Sequence, residues 1–236
     1  MRMRFVSRRR LSPLEGYNRW AATYDEPKDN VVFALESPLF SEMLALVPIE
    51  GNSVVDMGCG TGRHWEEILL RRPAAITGVD PSLKMLERLQ AHYPDARTIC
   101  SMGERVPEIG DASCQIIIST LALAHIPVAA RALNEWARIL HRGGSILITD
   151  FHPDAIRAGM KRTFESEDGT FEIEHHATDL ETLQAIAVDC GFAPDFIAER
   201  EIGESERPLF ERAQYLEAYE EHKGCPLVFG MRFVKQ

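Results

Sequence analysis

Apolar residues follow two different periods along this chain. Short runs of consecutive apolar residues, rich in valine and isoleucine, recur between longer stretches in which apolar residues stand three or four positions apart. The short runs predict strands buried on both faces, and the longer stretches predict amphipathic helices. Because the two kinds alternate, the pattern predicts a doubly wound, mostly parallel α/β sheet. The predicted strands are 53–57, 75–80, 96–101, 112–120, 145–151, 192–202 and 227–234.

The helical stretches carry their own start and stop signals. Pro27 follows the first of them, Ser82 and Asp179 stand at N-cap positions, and Gly143 and Gly191 follow later stretches as C-terminal glycines. Residues 152–176 fit no single regular element. The predicted helices are 14–24, 38–47, 63–71, 83–92, 128–141, 180–190 and 206–222.

The first predicted strand, 53–57, runs directly into glycines at alternate positions, Gly58, Gly60 and Gly62. Glycine allows a sharp turn and lets a ligand lie against the backbone, and a strand that enters a helix in this way makes a nucleotide-sized site. The dinucleotide fingerprint needs a further glycine at its sixth position, where this chain has Arg63. The stretch therefore favours a ligand other than a dinucleotide. A loop that only turns the chain is the alternative.

Asp80 ends the second predicted strand, roughly twenty residues beyond the glycines. A carboxylate at this place can accept hydrogen bonds from both hydroxyls of a ribose, because ligands bind at the carboxyl ends of parallel strands. The alternative is an acid that interacts favourably with the N-terminus of the next helix.

Composition excludes several classes of function. The chain has 236 residues, enough for one domain with a sizeable core, and its formal charge of -10 argues against a general nucleic-acid binder. No apolar run reaches membrane-spanning length. The five cysteines are scattered without metal-ligand spacing, so we expect no metal site, a reducing compartment and a cytoplasmic location. Cys100 and Cys114 lie in predicted strands and are expected to be buried.

The first residues are basic, unlike the rest of the chain. Arg2, Arg4, Arg8, Arg9 and Arg10 precede no long apolar run, so a signal peptide is not indicated. A loosely docked tail is one interpretation. An arm that touches an acidic partner, or the neighbouring subunit of a homodimer, is the other.

Two stretches together resemble a known family. The pattern Asp56-x-Gly58-x-Gly60-x-Gly62 resembles the first motif of class I S-adenosylmethionine-dependent methyltransferases, and the aromatic-rich segment 17–25 resembles the lead segment of their small-molecule, type 11-like branch. The resemblance implies a seven-stranded Rossmann-like sheet with an antiparallel last strand and an N-terminal helical cap. It also implies S-adenosylmethionine as cofactor and in-line methyl transfer to an O, N or C nucleophile of a small-molecule acceptor, with no nucleic-acid or membrane partner.

The same resemblance assigns site residues. Met102 stands where the family often has an acid that holds the adenine amine, and Glu104 offers a carboxylate two positions on. In that branch the segment folds over the cofactor, so an aromatic ring such as that of Tyr24 can approach the methionine part. The alternative is an ordinary amphipathic helix whose aromatic side chains pack in the core. The implied cofactor-binding residues are Tyr24, Asp56, Gly58, Gly60, Asp80, Pro81, Met85, Met102, Gly103, Glu104, Ser119 and Leu121.

Histidines are the candidate catalytic residues. His125 lies in the loop that the family places beside the transferred methyl, where it could act as a general base. The alternative is that His125 hydrogen-bonds the backbone and holds that loop. His152, and with it His175 and His176, belongs to a segment expected to cover the substrate.

The predicted organisation has five parts. They are a basic tail (1–13), an N-terminal helical cap (14–50), a cofactor-binding core (51–151), a substrate-covering insertion (152–178) and a C-terminal completion of the core (179–236). Two other functions stay open on this fold: another enzyme that acts on the sulfonium cofactor, and a non-catalytic binder of that cofactor.

Overall fold

A computed structural model describes residues 9–26 and 30–236. A seven-stranded sheet forms the centre of the molecule. The last strand of the chain, β10 (Pro226–Lys235), runs antiparallel to both of its neighbours, and the other pairings in this sheet are parallel, so the predicted doubly wound architecture is confirmed. In order across the sheet the strands are β4 (Arg97–Cys100), β3 (Ala75–Asp80), β2 (Ser53–Met57), β5 (Cys114–Thr120), β6 (Leu140–Phe151), β10 (Pro226–Lys235) and β9 (Phe192–Glu201).

Helices cover both faces of this sheet. On one face, α5 (Ala129–Ile139) and α7 (Leu180–Asp189) bury side chains such as Trp136 and Leu183. The opposite face is covered by α2 (Val31–Leu44), α3 (Trp65–Leu70), α4 (Leu83–His92), α6 (Pro153–Arg157) and α9 (Leu216–His222).

The central strands are apolar on both sides because both sides are covered. In β5, Ile117 packs into the cluster beneath α5, while Ile116 and Ile118 pack into the cluster beneath α2 and α3. Because β5 lies next to β2 in the sheet, the turn that follows β2 is supported by fully buried side chains. Among the described residues no helix is both long and apolar enough to cross a bilayer.

A second, three-stranded sheet joins the first described residues to the segment that follows α6. β1 (Arg9–Leu11) pairs in parallel with β8 (Gly169–Ile173), which forms a hairpin with β7 (Thr163–Ser166). The segment without a predicted regular element therefore contains a helix and a hairpin. Its hairpin was not visible in the sequence because β8 finds its parallel partner about 160 residues earlier in the chain.

Helix α1 (Pro13–Trp20) packs closely on this small sheet. It begins with a capping box, in which the Glu15 amide donates to Ser12 Oγ and the Glu15 carboxylate accepts from the Ser12 amide. A Cβ on Gly16 would lie 2.9 Å from Cγ1 of Ile173, so glycine is what allows the helix to approach β8. A 3-10 turn (Ala21–Thr23) continues the cap.

Helix α2 differs from the prediction. Expected to start at Pro38, it starts at Val31 and holds Pro38 inside, because Asn30 Oδ1 caps it by accepting from two backbone amides and because Leu35 and Leu39 anchor its buried face. Pro27, the predicted end of the first helix, lies outside the described residues, as do Arg2, Arg4 and Arg8.

Other boundaries also moved. The predicted glycine cap after α5 is wrong: β6 begins at Leu140 immediately after the helix, and Gly143 lies within the strand. The predicted helix 206–222 is two helices, α8 (Arg207–Arg212) and α9, separated near Gln214, whose φ is +61°. Cys114 is buried as expected, but Cys100 is exposed, since it lies on the edge strand β4.

Candidate functional site

The turn after β2 is held by the neighbouring strand. The amides of Gly58 and Cys59 both donate to the carbonyl of Val79, at 2.7 and 3.1 Å. Gly58 has a φ of +77°, and a Cβ there would lie 2.3 Å from Cβ of Ala122. Backbone conformation and space therefore both require glycine at this position.

Gly60 is constrained in a different way. Its φ is +53°, but nothing lies within 4 Å of a Cβ placed on it, so its backbone borders open space. The residue that lacks room for a side chain is thus Gly58. At Gly60 the left-handed conformation is the requirement, and the open space is available to a ligand.

Asp80 closes the site at the end of β3. Its Oδ2 accepts from the Gly60 amide at 2.9 Å, and its Oδ1 accepts from the Ser82 amide at 2.8 Å. Burial raises the pKa of this carboxyl to about 6, while the two amide hydrogen bonds oppose the rise. Each oxygen keeps a further lone pair, so the carboxylate can accept from two hydroxyl groups as well as hold the glycine turn.

A cavity of about 320 Å³ opens at this edge of the sheet, between the carboxyl ends of the central strands and helix α1. Eleven of the predicted site residues line it: Tyr24, Gly58, Gly60, Asp80, Pro81, Met85, Met102, Gly103, Ser119, Leu121 and His125. The sequence had not singled out several others on the wall, namely Ser12, Pro13, Leu14, Ile126, Trp136 and Glu174.

Two predicted carboxylates stand outside this cavity wall. Asp56 is 4% exposed and lies behind the glycine turn, where its Oδ2 accepts from Trp65 Nε1 at 2.8 Å and its Oδ1 has no partner among the described residues. Burial raises the pKa of Asp56 to about 7. Glu104 turns toward the surface, with Arg131 4.0 Å away. Asp56 thus supports the turn, and Glu104 is not placed to touch a molecule in the cavity.

His152 also stands apart from the cavity. Its Nδ1 accepts from the Asp154 amide and caps α6, and its Nε2 lies 3.1 Å from Glu199 Oε2. The sequence located it after the fifth strand of the parallel set, but its ring turns toward β9 and β10. Of the other histidines in that segment, His176 reaches the cavity wall and His175 does not.

His125 is the centre of a hydrogen-bonded group. Its Nδ1 lies 2.8 Å from the Glu174 carbonyl, which can only accept, so we assign the ring proton to Nδ1. Nε2 then accepts, with Arg162 Nη1 at 2.6 Å and the Tyr17 hydroxyl at 2.9 Å. Burial and the charge of Arg162 lower the pKa of His125 to about 3. The imidazole is neutral and its free lone pair is already in use.

Arg162 was not predicted as a site residue. It also donates to the carbonyl of Leu121, at 2.6 Å, and to the Tyr17 hydroxyl, at 2.9 Å. The sequence gave no local signal for this contact, because Arg162 comes from the loop before β7 and Tyr17 from α1. The three side chains together fix the loop after β5, whose Leu121 has a φ of +54°.

The N-terminal cap is fastened over the cavity by polar contacts. Asp25 accepts from Thr61 Oγ1 at 2.6 Å in the glycine loop and from Arg88 Nε at 3.0 Å on α4. Ser82 Oγ donates to Asn18 Oδ1 at 2.7 Å. These contacts close α1 and its 3-10 turn onto the glycine loop and α4, so they limit the access of water to the cavity.

Arg63 shows why the loop does not follow the dinucleotide pattern. Its side chain turns away from the cavity, forms an ion pair of 2.7 Å with the fully buried Glu36, and lies over the ring of Phe33. Burial opposes ionisation of Glu36, but hydrogen bonding from His64 and the charge of Arg63 lower its pKa to about 2. A glycine here would leave that carboxylate without its guanidinium.

The cavity has the features of a nucleoside site. It combines a carboxylate with lone pairs free for two hydroxyls, glycine backbone that borders open space, and an exposed Met102 on the opposite wall. The donor and acceptor set fits S-adenosylmethionine, whose ribose would lie on Asp80 and whose methionine part would lie along the glycine turn. Among the described residues no cluster of three or more His, Cys, Asp or Glu side chains could hold a metal ion.

Comparison with known proteins supports the family and the cofactor that the sequence predicts. Residues 55–148 match a family model described as a methyltransferase domain, of type 11, so the resemblance predicted from the glycine stretch is confirmed. The chain is 29% identical over 180 residues to an uncharacterized methyltransferase of Emericella nidulans, across 61% of this chain and 62% of that protein. It is 25% identical over 148 residues to a ubiquinone/menaquinone biosynthesis C-methyltransferase of Campylobacter jejuni, across 58% and 63%.

The chain thus spans about three fifths of the length of these curated relatives. Among solved structures, an S-adenosylmethionine-dependent methyltransferase of Mesorhizobium loti has a TM-score of 0.66 at 19% identity, over 85% of this chain and 97% of that chain. The cyclase SpnF has a TM-score of 0.70 at 15% identity, over 94% and 95%. Likeness at these identities shows the fold alone.

Proposed function

We propose that this chain, which carries a class I S-adenosylmethionine-dependent methyltransferase domain of the type 11 branch, transfers a methyl group from that cofactor to a small-molecule acceptor. The observation that carries the proposal is the Asp80 carboxylate, which joins the Gly60 and Ser82 amides at the edge of the cavity. The carboxylate that would accept hydrogen bonds from the ribose hydroxyls is thereby joined rigidly to the glycine turn.

The chain's own residues would position the two reactants. Bound S-adenosylmethionine supplies a methyl group on a sulfonium, which is already a good leaving group. Asp80 and the backbone at Gly60 hold the nucleoside end in this proposal, and Tyr24 and Leu121, which also line the cavity, border the rest of the cofactor. The contacts of Asp25 close the cap and exclude water. Placing a nucleophile in line at about 3 Å then provides most of the catalysis.

His125 has a positioning role in this proposal. A general base needs a free lone pair and a pKa near the working pH. The Nε2 atom of His125 already faces Arg162 and Tyr17, and burial and Arg162 lower its pKa to about 3. We therefore assign it to holding the loop after β5, and infer that the acceptor supplies its own nucleophilicity. His152, which stands apart from the cavity, takes no part in the proposed transfer.

A small molecule fits better than a nucleic acid as acceptor. The formal charge of the chain is -10, and the cavity is covered by the cap and by the insertion between β6 and α7. A polyanion would be repelled by the surface, and a cavity of about 320 Å³ has no room for a nucleic-acid strand once the cofactor is seated.

Calorimetry with S-adenosylhomocysteine tests the site. Asp80→Ala should weaken its binding by at least about tenfold, since hydrogen bonds to a charged group contribute about 1.5–3 kcal/mol. Asp95→Ala, which removes an exposed acid outside the cavity, is the matched control and should leave the affinity unchanged. Equal affinities for wild type and Asp80→Ala would refute the site assignment.

A screen of small-molecule acceptors that detects S-adenosylhomocysteine tests the activity itself. Production of S-adenosylhomocysteine that depends on one acceptor class supports methyl transfer. Tight cofactor binding without turnover across the panel would favour a non-catalytic binder. Consumption of the cofactor without formation of S-adenosylhomocysteine would favour another reaction of the sulfonium, and the fold alone allows either.

A further inference from the structure

A second cavity lies directly behind the cap, and nothing proposed so far uses it. It has a volume of about 160 Å³ and shares two wall residues, Tyr17 and Tyr24, with the cofactor cavity. Its remaining described walls come from the end of α1, the start of α2, the end of β6 and the segment that leads into β7: Trp20, Asn30, Val32, Phe33, Phe151, Lys161, Arg162 and Thr163.

The charge of this second cavity is one-sided. No aspartate or glutamate is among its described wall residues, whereas Lys161 and Arg162 both are. Lys161 is neutralised by Glu172 at 2.7 Å. Arg162 has no carboxylate within ion-pair distance in the part of the chain that the structure describes. The buried carboxyl of Asp150 acts on it electrostatically from beyond that distance, so the guanidinium has room for a directly bound anion.

The hydrogen bonds of Arg162 leave part of its guanidinium unused. The contacts to Tyr17, Leu121 and His125 all involve Nη1, and among the described residues Nε and Nη2 have no acceptor. Those two nitrogens form the planar fork that binds a carboxylate or a phosphate through two parallel hydrogen bonds. The indole N–H of Trp20, in the same wall, also lacks an acceptor among the residues that the structure describes. The second cavity therefore offers hydrogen-bond donors and suits a ligand that carries hydrogen-bond acceptors.

A third, larger space continues from the second cavity. It measures about 370 Å³ and shares Val32, Phe151, Lys161 and Thr163 with it. Apolar and aromatic side chains from the two helices that interrupt the C-terminal part of the fold, together with neighbouring strands, form much of its wall, among them Leu209, Phe210, Tyr215, Ile202 and Leu227. The second cavity, with its Arg162 guanidinium, thus lies between the cofactor cavity and a mainly apolar groove, and it shares wall residues with both.

We propose that the acceptor is an amphiphilic organic anion: its anionic oxygen group pairs with Arg162 in the second cavity, and its apolar chain lies in the groove beside α8 and α9. This inference rests on the proposed function. It orients the acceptor with the anionic end toward the cofactor cavity and the apolar end away from it, so the reacting atom lies on or next to the anionic head. The positive sulfonium of the cofactor adds to the attraction for that head.

Binding of simple amphiphiles to the full chain tests the proposal without any turnover. Decanoate, decyl phosphate, decanol and butyrate are titrated by calorimetry in the presence of saturating S-adenosylhomocysteine. We expect at least one of the two ten-carbon anions to bind about tenfold or more tighter than decanol, since the fork hydrogen bonds are charge-assisted. The tighter of the two identifies the head group. Decanoate should also exceed butyrate by about tenfold or more, because each buried methylene contributes about 0.8 kcal/mol.

Variants separate the two halves of the site. Arg162→Met should abolish the preference for the anions over decanol. Because Arg162 also holds the loop after β5, a second variant is placed in the groove instead. Ala213→Asp introduces a charge at an exposed residue of the groove wall. It should weaken the binding of decanoate about fivefold or more and leave the binding of butyrate unchanged. Gln214→Asp puts the same charge one residue away, outside the groove wall, and should bind decanoate as wild type does.

Equal binding of decanol and the two anions, or equal binding of decanoate and butyrate, would overturn the proposal, as would a failure of all four probes to bind. The outcome is independent of the proposed transfer. If that transfer is wrong, the amphiphiles still bind but no S-adenosylhomocysteine forms with any acceptor. If only the present inference is wrong, turnover is found with acceptors that carry no anionic group.

Discussion

The close contact between Gly58 and Ala122 offers a quantitative test of how the glycine turn is built. Gly58→Ala introduces two separate penalties. The residue keeps a φ of +77°, which costs an alanine about 1–2 kcal/mol. The new Cβ also falls 2.3 Å from Cβ of Ala122, far inside the carbon–carbon contact distance of about 3.5–4.0 Å. Relief of that overlap by shifts of the turn costs about 1–3 kcal/mol more.

The total expected loss for Gly58→Ala is therefore about 2–5 kcal/mol in the free energy of unfolding. Ala122→Gly alone should cost about 1 kcal/mol or less. In the double variant the overlap is absent and only the backbone penalty stays, so its destabilisation should fall short of the sum of the single changes by about 1–3 kcal/mol. Gly60→Ala is the matched control, with a left-handed backbone but open space for the Cβ.

Urea unfolding followed by tryptophan fluorescence measures these differences, provided that the slopes of the transitions agree among variants. Strict additivity of Gly58→Ala and Ala122→Gly would refute the contact between them. A loss for Gly58→Ala no larger than that for Gly60→Ala would do the same. Cofactor affinity gives a second readout, because Gly60→Ala should affect binding more than stability if the open space at Gly60 receives the ligand.

Two further predictions concern titration. Burial raises the pKa of Asp56 to about 7, above its value of 3.8 in the unfolded chain. The folded state therefore holds the carboxyl proton more tightly than the unfolded state does. As the pH rises from 4 to 8, the free energy of unfolding falls by up to about 4 kcal/mol. Asp56→Asn keeps an oxygen for Trp65 Nε1, and urea unfolding should show it more stable than wild type at pH 8 but not at pH 4; an unchanged pH dependence would contradict this. Burial and the charge of Arg162 lower the pKa of His125 to about 3, so its imidazole is neutral over the working pH range. The variant His125→Asn should therefore bind S-adenosylhomocysteine within about threefold of wild type and keep the pH profile of kcat/KM. Loss of one limb of that profile would identify His125 as a general base.

The sequence by itself determined the alternation of strands and helices in the central sheet and the positions of the glycine turn and Asp80. Its signals were local. Val54 and Val55 form a strand buried on both faces, and the glycines that follow it adopt the positive φ angles that a sharp turn requires. Asp80 could be placed because β2 and β3 are adjacent parallel strands, and their carboxyl ends must meet at one edge. A motif within a few residues and one rule of strand topology were enough.

The tertiary structure alone decided the acceptor side. Tyr17 and Arg162 are 145 positions apart, and they meet only because β1 pairs with β8 and brings α1 onto the hairpin. The same docking directs Arg162 and Tyr17 at the Nε2 lone pair of His125, and it leaves Arg162 without a carboxylate at ion-pair distance among the described residues. Contacts of this range carry no periodic signal, since each partner is an ordinary polar residue in its own segment. The hydrogen-bonded group of Tyr17, His125 and Arg162 therefore forms only when these distant segments pack together in the folded chain.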